Sequence, residues 1–259
     1  MKTNLLYSAL ALASVAVAIS SCSPVLYSNV GQNVPLFHKK GEGALSIGFM
    51  MVSGDGYAAN PFNIVEDNPG LSMQFALAVD SSVAIFSSLN SLKANSDWNV
   101  KGSYFEAGGG LFKHNSKTHL IGELFAGIGY GVIKNSSDVD TEVINAKFIK
   151  YFIQPSGGFS TKAFDMAFTP RIGVVDYIYH SETDSPLINE FFKEKKTSLV
   201  FEPGVTMRFG YKNIKIQYQM NYSTFSYKPN GYDEDEFDPV MDMYGSLSLF
   251  ILISNRWKP

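Results

Sequence analysis

The run Ile214-Lys215-Ile216-Gln217-Tyr218-Gln219-Met220-Asn221-Tyr222-Ser223 decides the fold. Its odd-sided set is Lys215, Gln217, Gln219, Asn221 and Ser223, and its even-sided set is Ile214, Ile216, Tyr218, Met220 and Tyr222. In a helix these sets would mix around the surface, whereas in a strand they separate onto two faces. Just upstream, Leu199, Phe201, Pro203, Val205, Met207 and Phe209 alternate with Val200, Glu202, Gly204, Thr206 and Arg208. Only Tyr211-Lys212-Asn213 separates the two runs, a connection short enough for an antiparallel hairpin. Pro203 lacks an amide donor and predicts a bulge there.

The same period-two template finds ten segments: 43–52, 70–79, 82–92, 100–112, 118–132, 143–159, 163–179, 197–209, 213–227 and 239–255. Ten is even, as bacterial single-chain barrels require. The connections at 80–81, 114–117, 160–162 and 211–212 are short, and those at 53–69, 93–99, 133–142, 180–196 and 228–238 are longer. Short periplasmic turns alternating with longer extracellular loops characterise outer-membrane barrels, and this pattern puts both chain ends in the periplasm. The expectation is an all-β, transmembrane, antiparallel up-and-down β-barrel of about ten strands.

Composition is compatible with that expectation. The hydrophobic fraction of 45% and a mean hydropathy of -0.01 look soluble, yet a strand of about 9–11 residues with one apolar face crosses a bilayer at such an average. The 14% aromatic content favours a barrel, and Trp98 and Trp257 fall near strand ends, as interface anchors do. A net charge of -3 points to no nucleic-acid partner.

The N-terminus reads as a secretory signal. Lys2 precedes an apolar run from Leu5 to Ile19, which ends in Ile19-Ser20-Ser21-Cys22, a lipobox-like tetrapeptide. Residues 1–21 are expected to be the lipoprotein signal peptide, 22–42 a lipidated periplasmic leader, and 43–259 the barrel. Cys22 would carry a diacylglyceryl group and an N-acyl chain such as palmitate. It is the sole cysteine, so neither a disulfide nor a CxxC metal site is available. Residues 23–40 show no strand pattern and are expected to tether the barrel from below or tuck under it.

Pro35-Leu36-Phe37 with Lys40-Gly41-Glu42, together with Tyr151-Phe152-Ile153-Gln154-Pro155 and Glu202-Pro203-Gly204, resembles lipidated outer-membrane barrel proteins of Bacteroidota. The resemblance implies an accessory barrel found alone or beside nutrient importers, secretion translocons or barrel-assembly machinery. It supplies no catalytic motif. Surface-bound lipoproteins of that group carry acidic residues after the cysteine. Ser23-Pro24-Val25-Leu26 departs from this signal, implying a lipid on the periplasmic leaflet of the outer membrane.

Alternation places Glu106, Glu123, Lys150, Arg171, Glu202, Arg208 and Lys215 on the inward face, beside Gln74, Gln154, Gln217, Gln219 and Asn221. A ten-stranded lumen is narrow, and long side chains of both signs would meet across it as a paired polar network. A ring of one sign would have favoured a pore. Gly108, Gly110, Gly127, Gly129 and Gly131 also point inward, where small residues leave room for large neighbours.

Enzymatic readings are weaker. Omptin-type proteases need acids and a histidine converging at the extracellular rim, for which His180, Glu182 and Asp184 are the candidates. A barrel phospholipase would need a Ser/His pair on the outer wall, yet His38, His114 and His119 fall in the leader or at a periplasmic turn. Asp233-Glu234-Asp235-Glu236 offers hard oxygen donors for a cation but lacks the glycine-spaced geometry of a calcium loop. No metal site and no cofactor beyond the lipid are expected. The function expected is that of a non-enzymatic accessory or structural subunit of a larger outer-membrane complex; the alternative is a freestanding narrow channel or ligand-binding barrel for small polar solutes. The expected partners are outer-membrane lipid and another outer-membrane protein.

Overall fold

The computed structural model describes residues 24–53, 69–95, 98–137, 143–225 and 240–254. The signal peptide, Cys22, Asp233, Glu234, Asp235, Glu236 and Trp257 lie outside the described residues. Ten antiparallel strands close into a barrel: β2 (Gly43–Ser53), β3 (Pro69–Ala78), β4 (Val83–Asn95), β5 (Trp98–Asn115), β6 (Leu120–Ser137), β7 (Val143–Ser160), β8 (Phe164–His180), β9 (Thr197–Tyr211), β10 (Ile214–Tyr222) and β12 (Met243–Ile253). Each pairs with its sequence neighbour, and β12 closes the ring on β2 from Met243↔Ser53 to Ile253↔Gly43. The ten segments found by alternation are the ten barrel strands.

Two short strands lie apart from the wall: β1 (Tyr27–Ser28) and β11 (Val240–Met241), which pair in parallel. One helix, α1 (Pro186–Glu194), interrupts the connection between β8 and β9. Proline at its first turn suits a position whose amide has no helical partner. Ile188, Phe191 and Phe192 form its buried face, against Tyr177 on β8 and Phe225 beyond β10.

Two expectations about the wall need correction. The register of β8 with β9 runs unshifted from Phe164↔Phe209 to Asp176↔Thr197, so Pro203 makes no bulge and instead faces Pro170. Pro170 in turn stands opposite Pro155, where the β7–β8 ladder is interrupted between Ile153↔Ile172 and Gly157↔Phe168. Three prolines side by side each remove a donor, and the ladder accommodates them by losing bonds locally without losing register. The register shift in this part of the wall falls elsewhere, at Lys147/Phe148 against β8.

The strict alternation of short and long connections also fails. β4 and β5 continue pairing through Lys93↔Lys101 to Asn95↔Asn99, leaving only 96–97 between them. Backbone pairing here runs past the alternating apolar stretch, because ladder hydrogen bonds are made by the main chain and do not depend on the side-chain pattern. One barrel face nevertheless carries the turns 79–82, 116–119, 161–163 and 212–213, and the other carries the α1 connection and the strand ends at Ser53, Pro69, Ser137, Val143 and Tyr222.

The outer wall is apolar. Phe49, Leu71, Ile85, Leu124, Ile153 and Phe168, drawn from six strands, are each about half exposed. A continuous apolar belt of this kind far exceeds the few hundred Å² that a water-soluble surface carries. It matches the lipid-facing band of a membrane barrel.

Candidate functional site: the occupied lumen

The inward face gathers buried charge of both signs. Glu106, Glu123, Lys150, Arg171, Glu202, Arg208 and Lys215 are all buried, and Asp165 and Glu42, which the sequence pattern did not place inward, join them. Lys150 on β7 donates to both Glu202 oxygens on β9, at 2.6 and 2.5 Å. Arg171 on β8 reaches across to Glu106 on β5 in a two-pronged pair of 3.0 and 3.2 Å. Its Nε also donates to Gln154 Oε1 at 2.9 Å, and its guanidinium lies 4.2 Å from the Phe152 ring centre. Asp165 accepts from Lys215 at 2.6 Å and stands 3.8 Å from the Arg208 guanidinium, which packs over Phe250. Buried charges persist only when paired and hydrogen-bonded, and Lys150–Glu202, Arg171–Glu106 and Lys215–Asp165 meet that condition.

The network closes on residues 24–42, which run through the lumen. This corrects the expectation of a leader below the barrel. The segment has no ladder of its own along most of its length, and inward side chains satisfy its backbone instead. Near one end, Asn135 on β6 accepts from Val25 N and donates to Val25 O, both at 2.8 Å, while Tyr177 donates to Leu26 O at 2.9 Å. Midway, Asn221 donates to Val30 O, Gln219 to Gln32 O and Gln154 to Asn33 O, at 2.6, 2.6 and 2.7 Å. Arg208 donates to Val34 O. Farther on, Glu123 accepts from Phe37 N at 3.1 Å, and Glu42 accepts from His38 N and from Ser254. Gly41 N finally joins Ala78 O at the turn between β3 and β4.

Leader side chains reciprocate. The Tyr27 hydroxyl donates to Glu202 at 2.5 Å and accepts from Lys150, so leader and wall share one ion pair. Asn33 donates to Phe75 O and Ser87 O, and Gln32 donates to Glu202 O. Val25, Leu26, Val30, Val34, Leu36 and Phe37 are buried among wall side chains. His38 stacks on His114, with ring centres 3.8 Å apart.

Glycines make the room. A Cβ on Gly129 would collide with the Tyr104 ring, and one on Gly131 with the Phe148 ring. These rings fill the lumen beside Tyr27 and Val30. The space left between Val30, Met50, Asn90, Tyr104 and Phe148 is a cavity of about 20 Å³, room for about one water.

The rim candidates His180, Glu182 and Asp184 are all exposed. The exposed His180 stacks on Phe192 at 4.2 Å, and its Nδ1 lies 3.3 Å from Ser181 O. Sequence reasoning missed Tyr27, Gln32, Asn33 and Asn135. The density of Asn and Gln among the apolar residues of 24–37 was the signal that could have marked Gln32 and Asn33.

No known protein family matches the sequence, and no curated protein matches it. Among solved structures the chain is similar to Ail, the attachment invasion locus protein of Yersinia pestis. The crystal structure of Ail is 13% identical over 82% of this chain and 97% of that one, with a TM-score of 0.36. Its form in a phospholipid nanodisc is 15% identical over 83% and 100%, with a TM-score of 0.30. A bacterial polysaccharide outer-membrane secretin is 9% identical over 84% and 100%, with a TM-score of 0.25.

Proposed function

We propose that this chain is a non-enzymatic outer-membrane β-barrel lipoprotein that serves as an accessory or structural subunit of a larger outer-membrane complex. The observation that carries the reading is the occupied lumen. Residues 24–42 are tied to side chains of the wall from Val25 to Phe37, and Lys150, Glu202, Glu123 and Arg208 are committed to that packing. A barrel filled in this way has its outer wall and its connections left for interaction. The apolar wall supports contact with outer-membrane lipid, and the lipobox-like Ile19–Cys22 supports covalent lipid on Cys22. The filled lumen counts against the alternative of a narrow channel for polar solutes, because a solute would have to displace a segment whose polar groups are already satisfied.

The test is native mass spectrometry of the protein extracted gently from its own outer membrane through a tag in the 228–238 connection. A stoichiometric second protein is the expected result. A lipidated monomer under every mild condition would remove the accessory-subunit reading.

A further inference from the structure

The leader has a direction. Phe37 to Gly41 lie against the short-turn face, with Gly41 bonded to Ala78 and Lys40 3.4 Å from Asp80 in the 79–82 turn. Val25 and Leu26 lie at the opposite end, bonded to Asn135 near the end of β6 and to Tyr177 beneath α1. Tyr27 pairs there with Val240, in the long connection before β12. Between Val25 and Phe37, the order of bonded residues along the leader is the order of travel through the barrel. Twelve peptide units span up to about 40 Å when extended, enough to traverse a bilayer's hydrocarbon core of about 30 Å.

We propose that residues 24–42 carry the mature N-terminus through the barrel to the long-connection face, opposite the face on which β2 begins and β12 ends. The proposal rests on the membrane-barrel reading above. With the short turns periplasmic, the long-connection face is the cell exterior. Two peptide units join Cys22 to Pro24, a reach of at most about 7.6 Å. A lipid on Cys22 therefore belongs to the outer leaflet, the reverse of what the missing acidic residues after the cysteine suggested. An assembly consequence follows as well. The wall is a closed ring of hydrogen-bonded strands, and the leader bonds to β3, β4, β6, β7, β8, β9 and β10 around it. A leader bonded on so many sides is placed most simply by strands that close around it, since later entry would require threading its acylated end through the full length of a closed ring.

The experiment uses the full chain in its own outer membrane, with a short epitope inserted between Ser23 and Pro24. Reference epitopes occupy the 116–119 turn and the 228–238 connection. Antibody binding to intact cells at the level of the 228–238 reference is the expected result. Binding that appears only after permeabilisation, as for the 116–119 reference, would overturn the proposal. A second variant, Asn33→Cys with Ser88→Cys, puts one thiol at the Ser88 Oγ position and the other at the Asn33 Cγ position, one bond short of the Nδ2 that lies 3.5 Å from Ser88 Oγ. Oxidation should shift its gel mobility in the membrane-inserted barrel, and failure to cross-link in a barrel that still shows heat-modifiable migration would also overturn it. Absence of the unaltered protein from the outer membrane would instead defeat the membrane-barrel reading, and the proposal with it.

Discussion

Lys150 and Glu202 stand on strands separated by β8, yet their charged groups meet at 2.5 Å, and the Tyr27 hydroxyl sits on the same carboxylate. In register, Glu202 lies opposite Arg171, which turns away to Glu106 on β5. Pairing in the lumen is therefore set by reach across the barrel, with the leader as third partner.

Removing one member of this buried pair leaves the other unmatched. Glu202→Gln or Lys150→Met should each cost about 3–5 kcal/mol, read as a lower temperature for loss of the compact gel band. The triple change Lys150→Met, Glu202→Leu and Tyr27→Phe, which leaves no charge unpaired, should recover most of the loss. A triple variant as unstable as the single ones would show that the site is held by shape and not by charge pairing.

Gly129 faces Tyr104 closely enough that any side chain must displace the ring. Gly129→Val should destabilise the barrel by about 1–3 kcal/mol through overpacking. Adding Tyr104→Leu should relieve part of that cost, and thermal unfolding of the four members of the cycle measures the coupling.

The bonds from Asn135 tie down the leader's N-terminal end. Asn135→Leu should leave barrel insertion intact while raising amide hydrogen exchange at residues 25–28. Exchange at residues 33–37, held by Gln154, Arg208 and Glu123, should stay unchanged.

In planar bilayers the intact protein should show no steady conductance. Deletion of residues 24–36 should introduce it, provided that the shortened barrel retains heat-modifiable migration. Steady conductance from the intact chain would revive the channel reading.

Asp80 supplies a contrast at the surface. The Ser81 amide, and after it Lys40, hold its carboxyl below the ordinary 3.8. A carboxyl depressed on folding stabilises above its unfolded value and loses that contribution as pH falls through the folded one. The stability difference between wild type and Asp80→Asn should therefore shrink as pH drops below about 4. At neutral pH it should be far smaller than for Glu202→Gln, because exposed pairs contribute little.

Alternation by itself determined the ten strands, the apolar wall and most of the charged residues that point inward, because a strand's two faces follow from the backbone period alone. Ile214–Ser223 shows this directly: its polar set lines the lumen, and its apolar set faces outward. Only the tertiary structure decided which inward charges pair and where residues 24–42 lie. The leader has no repeating pattern to read, and its backbone partners stand as far away as Asn221 does from Val30, 191 residues along the chain. Such a segment takes its conformation from the cavity that encloses it. The cavity exists only once the ring has closed.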